Sequence, residues 1–265
     1  MRSGWWAGCC LAFILLTTTD SQARLAWNAF EQYQSSTRLL RFDAVSTTAA
    51  GTLLIWPELG QMHHWLSMAK HWQQRGWNFI LLLPDPAQQS FDPASEQPTE
   101  SQRQWLELEA SRLSEALAEF ESSPPLLVMA QGSAALWYQQ LVDSATLPPP
   151  DGLMLMDALP VPLAQQKMLA MSLARSPYPV LDIYSRPSRP LSWHNLQQRQ
   201  QELARREKTG YSVQHIDDLG RLEKLISSWL VRQGWLPLPP GAPDYLKEQR
   251  HEAGISGSQD PGNGH

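Results

Sequence analysis

Short apolar runs alternate along the chain with longer segments whose apolar residues recur at helical spacing. The runs predict strands at residues 52–56, 78–83, 126–129, 152–156, 178–184 and 211–216, and a partly alternating segment at 38–45 predicts an edge strand. Helices are predicted from about residue 62 to Gly76 and at residues 102–120, 163–175, 192–208 and 222–231. This alternation is typical of an α/β fold with a mostly parallel sheet and helices on both faces.

Two of the predicted helices are rich in polar residues. In the helix at 102–120 the apolar residues are expected to face the core and the Glu and Arg residues to face water. The helix at 192–208 is rich in Gln and Arg with little apolar surface, which predicts a peripheral position.

A strand, a turn of small residues and a helix are predicted in succession over residues 126–140. This order resembles the nucleophile elbow of α/β-hydrolases, in which a strained turn presents the nucleophile above the sheet. Alignment on the strand and the small residues places Gly132 at the nucleophile position and Ser133 one residue later. The alternative register makes Ser133 the nucleophile but brings the long side chain of Gln131 to a position that requires a small residue. We favour the first register and interpret Ser133 as a helix N-cap.

The N-terminus combines Arg2, an apolar run at residues 5–16 and small residues at Ser21 and Ala23. This pattern is typical of a secretory signal peptide, so residues 1–23 are predicted to be removed and the protein to be periplasmic. The alternative is an uncleaved anchor, but the run is shorter than the roughly 20 residues that a membrane span needs. No stable membrane span is therefore expected after processing.

The predicted cleavage and the composition also indicate the cysteine content and the domain bounds of the mature chain. Cys9 and Cys10, the two cysteines, lie in the predicted signal, so no disulfide or thiol chemistry is expected afterwards. Residues 24–236 are predicted to form the α/β-hydrolase-like domain, and residues 237–265, rich in Pro, Gly and Ser, a disordered tail.

The charge and the absence of known ligand motifs exclude several functional classes. The formal net charge is −5 and no segment carries a basic cluster, which argues against nucleic acid as a partner. No HExxH motif, glycine-rich phosphate loop or metal-spaced cluster is present, so neither a metal nor a cofactor is expected.

Several short motifs occur in a characteristic order. They are residues 51–55 leading into 57–61, Gly76-Trp77 before a strand ending at Leu83-Pro84, Gly132-Ser133, residues 179–184, an Arg-rich helix ending in Tyr211, and Trp229 to Leu236. In order and spacing the chain resembles, over about residues 37–236, a family of α/β-hydrolase-like exported proteins of Gram-negative bacteria with no assigned function. The resemblance implies the hydrolase fold and a periplasmic setting, and it supplies no reaction.

The candidate catalytic residues are Ser133, His215 and Asp157. A serine hydrolase needs a base histidine after the last strand, but His215 lies inside that strand and is interpreted as a strand histidine with a local hydrogen bond. The expected carboxylate after the strand at 178–184 is missing. Asp157 could substitute for it, but it is more simply interpreted as a cap of the following turn.

A pocket is expected at the carboxyl ends of the strands, lined by Trp56, Glu58, Gln131 and Gly132. Glu58 lies in the loop that supplies half of an oxyanion hole, where a carboxylate has the wrong charge. It is interpreted as the cap of the helix that follows, with binding of a cation or of a ligand's hydrogen-bond donors as alternatives.

These departures together predict a protein that keeps the hydrolase cleft without a working triad. We expect a non-catalytic module that binds a small molecule, a lipid or an envelope protein. The alternative is a carboxylic ester hydrolase that uses Ser133 in an atypical elbow.

Overall fold

Seven strands alternate with six helices in the computed structural model, which describes residues 38–58, 62–83, 85, 87–88, 91, 95–118, 125–185, 190–238 and 240–241. The strands are β1 (Leu39–Phe42), β2 (Gly51–Trp56), β3 (Trp77–Leu82), β4 (Leu126–Gln131), β5 (Gly152–Met156), β6 (Val180–Tyr184) and β7 (Tyr211–His215). The helices are α1 (Met62–Gln74), α2 (Glu100–Ala118), α3 (Ala134–Asp143), α4 (Leu163–Arg175), α5 (Pro190–Arg205) and α6 (Leu222–Gln233).

One sheet contains all of these strands, in the order β1-β3-β2-β4-β5-β6-β7. Every neighbouring pair from β3 across to β7 is parallel. Strands β2 to β6 are almost wholly buried, as their unbroken apolar sequences predict for a covered parallel sheet. The predicted mostly parallel α/β fold is therefore confirmed, with β4 in the centre of the sheet.

The helix ends follow from local sequence. Gly76 (φ +81°) lies just beyond α1, and Gly234 (φ +84°) caps α6 in the left-handed region that glycine adopts without a steric penalty. The core faces of the helices carry Trp65, Trp72, Trp105 and Trp229, all of which are buried, as predicted.

Helix α5 is not peripheral, contrary to the prediction. Its Arg199 is buried and donates from Nε and Nη2 to the two carboxylate oxygens of Asp182 on β6, at 2.7 and 2.9 Å. The hydroxyl of Tyr211 donates to the same carboxylate at 2.7 Å. A polar face of a helix can be buried when each of its charges has a partner. Residue composition alone does not reveal such pairing.

Helix α2 also departs from the expectation that its acidic residues face water. Glu109 is buried, and its carboxylate accepts a hydrogen bond of 2.6 Å from Arg112 one turn later. Arg112 remains partly exposed, so the pair reaches the surface on one side.

The structure describes only part of what the sequence predicts. The predicted signal segment and residues 242–265 of the predicted tail lie outside the described residues. Arg41–His265 is a compact unit, and of the other unit, Met1–Leu40, only residues 38–40 are described. Within the described ranges, no helix combines the length and apolar character needed to cross a membrane.

Candidate functional site

The turn after the central strand has its left-handed residue at Gly132. Strand β4 ends at Gln131, Gly132 follows with φ +61°, and Ser133 already has the right-handed helical φ of −68°. Helix α3 begins at Ala134. Left-handed backbone is routine only for glycine, so the sharp change of direction falls on the residue best able to make it.

The ends of β4, β5 and β6 are tied together around this turn. The N–H of Gly132 donates to the carbonyl of Met156 at 3.0 Å, and the N–H of Leu159 donates back to the carbonyl of Gly132 at 3.1 Å. Asp157, between them in sequence, also has a positive φ, of 47°. The elbow is therefore fixed to the neighbouring strand by backbone hydrogen bonds on both sides.

The side chain of Glu58 lies directly against Gly132. A Cβ atom added to Gly132 would lie 3.0 Å from Cδ, 3.2 Å from Cγ and 3.2 Å from Oε1 of Glu58. These separations are shorter than ordinary van der Waals contacts. The loop after β2 thus fills the space into which a side chain at position 132 would project.

The side chain of Gln131 forms hydrogen bonds with this loop and with helix α1. Its Oε1 accepts the backbone N–H of Glu58 at 3.3 Å and the indole Nε1–H of Trp65 at 2.9 Å. The side chain is buried, so both donors are satisfied away from bulk water. In an α/β-hydrolase, an N–H from this loop serves as one of the oxyanion donors. Here the N–H of Glu58 is used within the protein.

Ser133 does not act as the predicted side-chain cap. It occupies the N-cap position of α3, but its hydroxyl makes no capping hydrogen bond. The reason is conformational: an N-cap side chain reaches the N2 or N3 amide from an extended backbone, whereas Ser133 is already helical. Its partly exposed side chain instead contributes to the wall of a cavity.

The Asp157 side chain accepts hydrogen bonds from the residue that follows β6. Its Oδ1 accepts the backbone N–H of Ser185 at 2.8 Å, and its Oδ2 accepts the Ser185 hydroxyl. Ser185 follows β6, so the buried carboxylate connects the ends of two neighbouring strands. Asp tolerates the left-handed backbone better than most residues, which suits it to this position.

His215 is the last residue of β7 and is half exposed. Its ring stacks on Tyr184 at 5.4 Å, and its Nε2 lies 3.4 Å from Oδ1 of Asp217. β7 is separated from β4 by β5 and β6, that is by three strand spacings or roughly 14 Å. The sheet therefore holds His215 at a distance from the elbow.

A cavity of about 230 Å³ opens beside the elbow. Its hydrogen-bonding wall comprises Glu58, Gln88, Ser95, Gln102, Gln131, Ser133, Gln140 and Gln165. None of the residues that line it, all within the described ranges, is a histidine or carries a positive charge. The described residues also contain no group of three or more His, Cys, Asp or Glu side chains arranged to hold a metal ion.

The cavity also has an aromatic wall, which is one part of an apolar lining that includes Leu106, Leu136 and Pro160. Phe91, Trp105 and Trp137 line it, and the rings of Trp105 and Trp137 meet edge to face with centroids 4.9 Å apart. Trp56, predicted to line the pocket, is fully buried behind this wall and packs on Trp105 and Trp137 at 6.2 and 6.1 Å.

The cavity thus brings together only some of the residues predicted for the site. Glu58, Gln131 and Ser133 line it, whereas Trp56, Gly132, Asp157 and His215 do not. The other glutamines, Gln88, Gln102, Gln140 and Gln165, and the aromatic wall were not predicted from the sequence. One feature of the sequence could have indicated part of the cavity lining. The long polar segment at residues 85–100 supplies Gln88, Phe91 and Ser95.

Comparison with known proteins gives a family and a fold. A family model described as "Protein of unknown function (DUF3530)" matches residues 82–236, more than half of the chain. No curated protein matches. Similar solved structures include a thermophilic esterase from Thermogutta terrifontis (TM-score 0.54, 8% identity, 77% of this chain and 90% of that one). Acyl-protein thioesterase 2 of Zea mays (0.52, 10%, 73% and 99%) and MenH of S. aureus (0.52, 10%, 73% and 98%) are also similar. At such identities the likeness shows the fold alone, which is that of the α/β-hydrolases.

Proposed function

The chain belongs to the family described as "Protein of unknown function (DUF3530)", and we propose that it is a non-catalytic protein that uses the cleft of an α/β-hydrolase fold for binding. The bound species is a small molecule or an envelope protein. In this proposal residues 1–23 direct export and are then removed, and the protein acts in the periplasm.

The observation that carries the proposal is the geometry at Gly132. In the elbow of a hydrolase, the nucleophile sits on the sharp, strained turn between strand and helix. In this chain the positive φ falls on Gly132, which has no side chain, and Glu58 occupies the adjacent space. Ser133 lies one residue later, on the helical side of the turn.

The surroundings of the elbow support the same conclusion. Acyl transfer needs backbone donors aimed at the developing oxyanion, and negative charge nearby opposes it. Here the Glu58 N–H is already donated to Gln131, and the Glu58 carboxyl group lies against the elbow. A triad also needs a base within hydrogen-bond reach of its nucleophile, and none of the described cavity-lining residues is a histidine.

A second candidate function rests on Ser133 itself. Its side chain lines the cavity, and it is not held in a capping hydrogen bond. These two features favour an ester hydrolase with a displaced nucleophile at Ser133. Ser95 also lines the cavity, but its hydroxyl donates to the carbonyl of Gln97 at 2.6 Å.

A fluorophosphonate probe and a panel of short-chain esters distinguish the two functions. We expect neither labelling nor turnover above a buffer blank for the wild type. The matched variants are Ser133→Ala and, as a control on an exposed serine of α2, Ser114→Ala. Labelling that disappears only in Ser133→Ala, with its melting temperature unchanged, would establish the esterase and reject the non-catalytic function.

A further inference from the structure

The cavity beside the elbow is lined by amide groups that have no hydrogen-bond partner among the residues the structure describes. Gln131 is 2% exposed, and although its Oε1 accepts two hydrogen bonds, its Nε2 donates none within the described part of the chain. Gln88 is 8% exposed, and its side chain makes no hydrogen bond there. Both side chains line the cavity, so their amide groups can donate to and accept from a species bound there.

Charge narrows the class of ligand. Glu58 is the sole charged residue lining the cavity among those the structure describes, and no cationic side chain lines it. A phosphate or carboxylate would meet no cationic side chain among the described lining residues and would lie near the Glu58 carboxyl group. The cavity is thus unsuited to anions.

The amides also argue against purely apolar and quaternary ammonium ligands. Neither an acyl chain nor a quaternary ammonium group can donate or accept conventional hydrogen bonds at the glutamines. Binding either would exclude water and leave these amides unpaired, which is the arrangement that polar sites reject most strongly. A hydroxyl group, by contrast, is both a donor and an acceptor, as is a glutamine amide.

The aromatic wall suits a ring with an apolar face. Phe91, Trp105 and Trp137 offer aromatic carbon to a ligand whose polar groups point toward the glutamines. The cavity, about 230 Å³, exceeds the roughly 150 Å³ of an apolar protein cavity that accommodates benzene. A six-membered ring fits this space, and a folded partner does not.

We propose that this cavity binds a neutral sugar ring, with its hydroxyl groups on the glutamines and its C–H face on the aromatic wall. The proposal rests on the non-catalytic binding function and specifies its ligand class. Gln140 on α3 and Gln88 provide the means to test it, because their side chains are engaged by no other described residue.

The test is isothermal titration of the full processed protein with glucose, galactose, mannose, N-acetylglucosamine, maltose and trehalose. We expect saturable binding of at least one, and about tenfold weaker binding in Gln140→Leu and in Gln88→Leu, since each loses a hydrogen bond at similar side-chain volume. Gln200→Leu, an exposed glutamine on α5 outside the cavity, is the matched control and should bind as the wild type does. Melting temperatures check that all three variants are folded.

Decanoate and tetramethylammonium are titrated in parallel, and the fluorophosphonate probe is applied to the same sample. Absence of saturable binding by every sugar, or binding unaffected by both cavity substitutions, would overturn the sugar proposal. Binding of decanoate or tetramethylammonium alone would replace the ligand class while leaving the non-catalytic function intact. Ser133-dependent probe labelling would instead reject the underlying function.

Discussion

At the residue scale, Gly132 is required by two separate features, backbone conformation and space. Its φ of +61° disfavours any L side chain, and the nearest atom of the Glu58 side chain lies only 3.0 Å from where a Cβ would be. Gly210 provides a comparison, because its φ of +73° is similar while its nearest neighbour, Pro179, is 3.4 Å from an added Cβ. Comparing the two glycines therefore separates the energetic cost of the left-handed backbone from the cost of the contact with Glu58.

We therefore expect Gly132→Ala to be more destabilising than Gly210→Ala. Each should lose about 1–2 kcal/mol through the left-handed backbone, and Gly132→Ala about 1 kcal/mol more through overpacking against Glu58. Urea unfolding measures both. In a Glu58→Ala background the excess should disappear, as a double-mutant cycle reports. Strict additivity of Glu58→Ala and Gly132→Ala would show that the contact carries no energy.

At the element scale, the buried pair Asp182–Arg199 joins β6 to α5. Burial by itself lowers the pKa of Arg199, but the adjacent Asp182 carboxylate outweighs burial, and the net effect is a raised pKa. The guanidinium therefore remains charged in the core, with both carboxylate oxygens as partners. Such a pair is costly to break and cheaper to replace as a whole.

Arg199→Met should accordingly lower the free energy of unfolding by about 3–5 kcal/mol, since it leaves the Asp182 charge buried. The double variant Asp182→Leu/Arg199→Met should recover most of that loss. Arg206→Met, at an exposed position near the end of the same helix, is the control and should change stability by less than about 1 kcal/mol. A double variant no more stable than Arg199→Met would contradict this account.

At this scale, some of the strands and helices could be predicted from the sequence pattern and others could not. Strand β5 and helix α4 have the predicted bounds, because unbroken apolar runs and helical periodicity depend on local burial alone. The polar helix α5 was misplaced because its membership of the core depends on Asp182, seventeen residues earlier on another element. A pattern within one helix contains no information about such a partner.

At the scale of the whole molecule, the fold was predictable from sequence and the cavity largely was not. Gly132 and Ser133 were recognisable because the elbow is one continuous segment. The cavity wall instead combines Gln88, Gln140 and Gln165 from separate loops and helices, and their proximity is a consequence of the sheet order. Trp105 illustrates the limit, since its predicted core role holds while it also forms part of the cavity wall.

Alkaline pH should unfold the whole domain cooperatively. Burial raises the pKa of Tyr178 to about 12, and burial also raises the pKa values of Tyr138 and Tyr211, the latter with the help of the Asp182 charge. In the unfolded chain tyrosine ionises near pH 10. The folded-state pKa values are higher, so this contribution to stability is complete below about pH 10 and is lost as the pH rises through 10 to 12 and beyond.

Tyrosinate absorbance and circular dichroism should therefore change together in that range. Tyr138→Phe is the informative variant, because the Tyr138 hydroxyl has no hydrogen-bond partner within the described residues. Its stability at neutral pH should stay within about 1 kcal/mol of the wild type, and its alkaline midpoint should move upward. Gradual tyrosine ionisation with the fold intact would contradict this expectation.

The proposed export of the protein gives a separate prediction for the whole chain. The apolar run at residues 5–16 is too short to anchor the protein in a bilayer, so we expect cleavage after Ala23 and release. Mass spectrometry of the periplasmic fraction of a Gram-negative host should then find Arg24 as the first residue. Leu15→Arg interrupts the apolar run and should leave an intact precursor in the cytoplasm.

A thiol reagent gives an independent measurement, because Cys9 and Cys10 would be removed with the signal. The reagent should label the precursor and not the periplasmic form. Intact Met1 in the membrane fraction of the wild type would favour the uncleaved anchor.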